Sequence, residues 1–99
     1  MKTENILEKI KYPKAGILSE EIFKDSKNNI TLFCMSKGSE MGEHTSTKNA
    51  FVEVIEGQGI FNLNGKKIKM KAGTFIPMKK NALHSLSAIK NTSFMLYLN

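Results

Sequence analysis

The sequence predicts an all-β fold, a sandwich or a barrel, and three observations carry that prediction. Short apolar runs of about four to eight residues recur from residue 17 to the C-terminus, separated by clusters of Gly, Pro, Asn, Asp and Ser. One separator, Asn64-Gly65, stands between two alternating runs and is the residue pair that a type I′ hairpin turn prefers. No long stretch repeats its apolar residues with a helical period.

The elements follow in order. "NILEKIKY" (5–12) predicts a short helix or turn with Ile6, Leu7 and Ile10 on one side, broken by Pro13 and Gly16. "ILSEEIF" (17–23) reads as a strand, "KDSKNN" (24–29) as a turn, and "ITLFCM" (30–35) as a buried strand rich in β-branched and aromatic residues. "SKGSEMGE" (36–43), with two glycines, reads as a loop. "AFVEVIEG" (50–57) alternates and ends on Gly57; "GIFNLNGKKIKM" (59–70) is the hairpin. "GTFIPM" (73–78) is a short run whose Pro77 predicts an edge or a bulge. "HSLSAI" (84–89) alternates, and "SFMLYLN" (93–99) closes the chain as an apolar strand.

Composition bounds the function. A chain of 99 residues makes one domain with a modest core, which a dimer interface would supplement. Apolar residues on both faces of "AFVEVI" and "SFMLYL" point the same way, because an outer apolar face needs cover and a second subunit is the simplest one. Most of the Met and Phe residues (Met35, Met70, Met78, Met95, Phe33, Phe51, Phe61, Phe75 and Phe94) are assigned to the core or to that interface. No apolar stretch is long enough to span a bilayer, and the N-terminus lacks the apolar segment of a signal peptide, so a cytoplasmic protein with no membrane partner is expected. The single Cys34 cannot form an internal disulfide, which fits a reducing compartment. The net charge of +6 comes from fifteen lysines and no arginine, spread along the chain. Bidentate readout of guanine and phosphate favours arginine, and no basic stripe is visible, so a nucleic-acid partner is not expected.

Chemistry concentrates in "GSEMGEHTS" (38–46) and "NALH" (81–84), which hold the only two histidines, His44 and His84. The spacing of these segments resembles the cupin family. Its first motif runs Gly, five residues, His, one residue, His, three or four residues, Glu, six residues, Gly. Gly38, His44 and Gly57 match it, while Ser46 stands at the second His and Ala50 at the Glu. The second motif runs Gly, five residues, Pro, one residue, Gly, two residues, His, three residues, Asn. Gly73 and His84 match, with Lys79, Asn81 and Ala88 at the Pro, Gly and Asn positions. Asn81 is a mild replacement, since Asn tolerates the left-handed backbone region better than other non-glycine residues.

The resemblance spans residues 30–99 and implies a double-stranded β-helix, or jelly-roll barrel, commonly homodimeric, with residues 1–16 as an N-terminal extension. It also implies a site on the inner face where three His and one Glu hold a divalent transition metal. This chain supplies His44, Ser46, Ala50 and His84 there, which leaves a degenerate site: His44 and His84 as candidate metal ligands and His44, Ser46 and His84 as a candidate ligand pocket. Glu40, on the parity of His44 but in a loop, and Glu43, Glu53 and Cys34 have no spacing argument as a third ligand. The expected function is binding of a small molecule around the two histidines. The alternatives are a weakly metal-dependent or metal-free oxygenase or isomerase, in which two imidazoles act as acid and base, and an interaction protein.

Overall fold

The computed structural model describes residues 2–99. One short helix, α1 (Ile6–Lys9), precedes nine strands: β1 (Ile17–Lys24), β2 (Asn29–Met35), β3 (Glu40–His44), β4 (Ala50–Glu56), β5 (Gln58–Leu63), β6 (Lys66–Lys71), β7 (Phe75–Met78), β8 (His84–Ala88) and β9 (Thr92–Leu98). They form two antiparallel sheets, a five-stranded one in the order β1-β2-β9-β4-β7 and a four-stranded one in the order β3-β8-β5-β6. This is the all-β jelly-roll barrel that the sequence predicts. Among the described residues no helix is long and apolar enough to cross a membrane.

Alternation makes the core. Ala50, Val52 and Val54 of β4 are each about 1% exposed and point inward, while Phe51 and Glu53 point out. Phe61, Met70, Ile76 and Leu86 come in from the neighbouring strands, and Met35, Met78 and Phe94 fill the space between the sheets. The lumen is therefore packed with side chains. The hairpin forms as expected, with Asn64 at φ 50° and Gly65 at φ 85°, and Leu63 opposite Lys66.

One expectation fails in an instructive way. "SKGSEMGE" is not all loop: β3 begins at Glu40 and pairs with β8. The outer apolar face of the larger sheet, for its part, gets some of its cover from within the chain. Leu32, Cys34 and Met95 on that face form a second cluster with Ile6, Ile10 and Tyr12 of the N-terminal segment. Leu7 does not share in this and stays 68% exposed. The segment is pinned by polar contacts: the Tyr12 hydroxyl donates to Glu56 at 2.7 Å, and Lys9 reaches Glu20 at 2.8 Å and Glu4 at 2.9 Å. Burial pushes the Tyr12 phenol up to about 12, so it stays a donor to that carboxylate at any ordinary pH.

Candidate functional site

The two histidines meet because the last residue of β3 faces the first residue of β8. His44 is the register partner of His84, and His84 in turn faces Leu63 of β5. All these residues lie at one end of the barrel, at its mouth. The imidazole centroids are 4.0 Å apart, with ring planes at 62°. His84 is buried and its ring lies parallel to Phe61, with centroids 5.8 Å apart; His44 is exposed.

A β-bulge sets this geometry. From Met41, opposite Leu86, to His44, opposite His84, β3 uses three residues where β8 uses two. The extra residue brings both Met41 and His44 to the inward side. Glu40, opposite the outward Ser87, is exposed on the other side, so it does not share the face of His44 as simple alternation predicts.

Each histidine is held the same way. Nδ1 of His44 lies 2.7 Å from the Gly42 carbonyl, and Nδ1 of His84 lies 3.0 Å from the Ala82 carbonyl. A carbonyl only accepts, so each Nδ1 carries a proton, and a ring in its neutral form then keeps the Nε2 lone pair for another partner. Burial chiefly, and also the neighbouring His44, pull the affinity of His84 for a second proton below the ordinary value; its bond to Ala82 opposes this.

The loops behind the histidines are tied together by hydrogen bonds that motif spacing does not reveal. The Asn81 N–H donates to the Ser46 carbonyl at 2.7 Å, with Asn81 in the left-handed region at φ 69°. The tip of the β5–β6 hairpin docks on the same loop: the Leu83 N–H donates to Asn64 Oδ1 at 3.0 Å, and the Asn64 N–H donates to the Leu83 carbonyl at 2.8 Å. Asn64 thus serves the turn and also positions the segment leading into His84. Its turn role is visible in Asn-Gly; its positioning role depends on a contact nineteen residues away.

Ser46 lies beyond the end of β3, and its hydroxyl accepts the Lys48 N–H at 3.1 Å in a local turn. Ala50, at the carboxylate position of the motif, is a core methyl between Met78 and Leu98. Among the described residues no group of three or more His, Cys, Asp or Glu side chains converges as metal ligands. Two imidazole donors do not fit a metal centre that needs three His and a Glu. Cys34 lies under the N-terminal segment on the outer face, away from the histidines, and burial pushes its thiol up.

The state of His84 gives a pH prediction. Its folded proton affinity is depressed, so the unfolded chain binds more protons as the pH falls. The stabilisation from the neutral ring is full above the unfolded value near 6.5 and is lost as the pH drops below it. The melting temperature is expected to fall between about pH 7.5 and 5.5, a window above most carboxylate titration. His84→Gln should flatten that slope, and an unchanged slope would assign the acid sensitivity to another group.

Comparison with known proteins agrees with the barrel and its spacing. A cupin-domain family model matches residues 31–98. A conserved protein of unknown function from Streptococcus pyogenes superposes with a TM-score of 0.88 at 23% identity, over 98% of this chain and 85% of that one. A cupin 2 conserved barrel domain protein from Leptotrichia buccalis gives 0.89 at 24% identity, over 96% of this chain and 46% of that one. An RmlC-like cupin from Desulfovibrio desulfuricans gives 0.83 at 21% identity, over 99% and 95%. No curated protein matches the chain. With the family match over most of the sequence and the glycines and histidines in its frame, the chain belongs to the cupin family.

Proposed function

We propose that this cupin domain binds a small polar molecule at the barrel mouth through His44 and His84. The observation that carries the reading is the shared contact of each Nδ1 with a backbone carbonyl, which leaves both Nε2 atoms, on rings 4.0 Å apart, for another partner, as acceptors when the rings are neutral. Such a pair suits a ligand bearing hydroxyl or ammonium donors. The packed lumen supports a binding position at the mouth rather than in the barrel interior, where the family frame would put it. The lone buried Cys34 fits the reducing cytoplasm as its compartment.

A second reading has its own support. A buried His84 with depressed proton affinity is neutral near pH 7 and can act as a base, with the exposed His44 beside it as a proton relay. Metal-free proton transfer on the bound molecule is then the activity to assay.

A thermal-shift screen of polar metabolites on wild type, His44→Ala and His84→Ala tests the first reading. A ligand that raises the wild-type melting temperature by about 3–5 °C and leaves both variants unmoved is the expected result. Hits that stabilise all three proteins equally would remove the histidines from the binding site. Protein purified without chelator or nickel resin is expected to carry well under one equivalent of transition metal. Stoichiometric metal that is lost in His84→Ala would replace this reading with a metal-dependent one.

A further inference from the structure

The outer face of the four-stranded sheet gathers charge and apolar surface in one place. Alternation on β6 turns Ile68 and Met70 toward the core and Lys67, Lys69 and Lys71 outward. On β5 Phe61 points inward, which leaves Gln58, Ile60 and Asn62 outward. Cross-strand pairing then sets Lys69 beside Ile60 and Lys71 beside Gln58. Ile89 follows β8, and its N–H donates to the Gln58 carbonyl at 2.8 Å, which brings it next to this row. Gln58, Ile60, Lys69, Met70, Lys71 and Ile89 line a groove of about 330 Å³, a volume in the range of small-molecule sites.

The lining names the chemistry of the occupant. Among the described residues only Lys9 forms a salt bridge, so Lys69 and Lys71 keep their charge available. The carboxylates of this sheet, Glu40 and Glu43, belong to β3 at the opposite edge, three strands or roughly 14 Å away. Glu56, close in sequence, is held by Tyr12 on the outer face of the other sheet. β6 is an edge strand, and edge lysines discourage pairing with another chain. That role accounts for the lysines but not for the isoleucines beside them: Ile89 is 46% exposed and Ile60 is only partly buried. Cation and apolar surface side by side fit a molecule that is anionic at one end and apolar at the other. Lys69 and Lys71 are two residues apart, roughly 6.7 Å along the strand, a gap that two flexible side chains close around one acidic head. A single-stranded nucleic acid would call for aromatic side chains to stack its bases, and this face presents none.

We propose that this groove is a second small-molecule site, which takes an amphiphilic carboxylate or phosphate monoester. The acidic head lies between Lys69 and Lys71, and the apolar body lies against Ile60 and Ile89. The site is separate from the histidines. Leu63, which faces His84, and Gln58 stand at opposite ends of β5, five residues or roughly 17 Å apart. The inference therefore does not rest on ligand binding at the barrel mouth.

Amide-resolved NMR titration with sodium octanoate and with octyl phosphate tests it. At least one is expected to bind with a Kd of about 1 mM or tighter, with the largest shifts at residues 57–60, 69–71 and 89. A preference between the two probes supports the site and names its head group. Inorganic phosphate and 1-octanol, which carry the head or the tail alone, should bind at least about tenfold more weakly. Lys69→Gln/Lys71→Gln should weaken binding at least about tenfold, and Ile89→Ser at least about threefold. Lys79→Gln/Lys80→Gln removes the same charge from another surface and should leave the affinity unchanged. All five of these positions are exposed, so the variants remain folded by circular dichroism. Four results would each overturn the proposal: inorganic phosphate bound as tightly as octyl phosphate, equal losses in the two lysine double variants, largest shifts outside the groove, or no localised shift with either probe at about 10 mM.

Discussion

Removal of residues 2–12 is expected to cost the domain much of its stability and to open Cys34 to solvent. The strands themselves do not need this segment for hydrogen bonding, because α1 joins neither sheet. It acts as a cover. Ile6, Ile10 and Tyr12 are each partly buried in the cluster built on Leu32, Cys34 and Met95. Re-exposing three such side chains and the surface beneath them is worth about 3–5 kcal/mol at ~25 cal/mol per Å². A domain of this size has only about 5–15 kcal/mol in total. Urea denaturation should show a lower midpoint, and a thiol reagent should modify native Cys34, which is 3% exposed in the intact chain, far faster than before. Tyr12→Phe is the graded version: it keeps the ring and loses the bond to Glu56, an expected loss of about 1 kcal/mol. A truncated protein with an unchanged urea midpoint and a protected thiol would show that the cover contributes nothing.

Gly57→Ala is expected to be the most damaging single substitution in the motif frame. Gly57 sits at φ +118°, where a side chain is strained, and a Cβ there would lie 2.5 Å from the Asn91 carbonyl oxygen and from Cα and Oγ1 of Thr92. Two of those three atoms are backbone, so relief requires moving the start of β9, where Thr92 Oγ1 also accepts the Gln58 N–H at 3.1 Å. Strain and displacement together should cost about 3 kcal/mol or more, lowering the melting temperature by about 12 °C or more. Gly38→Ala is the control. Gly38 has φ +85° but nothing within 4 Å of its Cβ position, so it should lose only the left-handed penalty of about 1–2 kcal/mol. Equal losses at the two sites would show that the close approach to β9 is not the reason for Gly57.

The elements most legible in the sequence were those with a strong local signal. Asn64-Gly65 gave its turn because few residue pairs accept positive φ at two successive positions. The alternation of "AFVEVI" gave the inward set Ala50, Val52 and Val54, and the glycine and histidine spacing gave the family frame. β3 was the least legible strand. "EMGEH" has one apolar side chain and a glycine, and it is a strand because β8 pairs with it. Its bulge moved Glu40 off the face of His44, a change that no local period encodes because it depends on the register of another strand.

Sequence alone determined that the family frame holds two histidines, His44 and His84, without a partner carboxylate in the motif, and which backbone positions bend. Tertiary structure decided the rest. It set the 4.0 Å meeting of the two rings and the Nδ1 contacts with Gly42 and Ala82. It placed the N-terminal cover on one half of the outer sheet and left Phe51 and Phe75 bare on the other. The physical reason is range. Turn type and strand alternation are written in neighbouring residues, whereas cross-strand register, loop docking and the covering of a face depend on segments far apart in the chain, which only the folded path brings together.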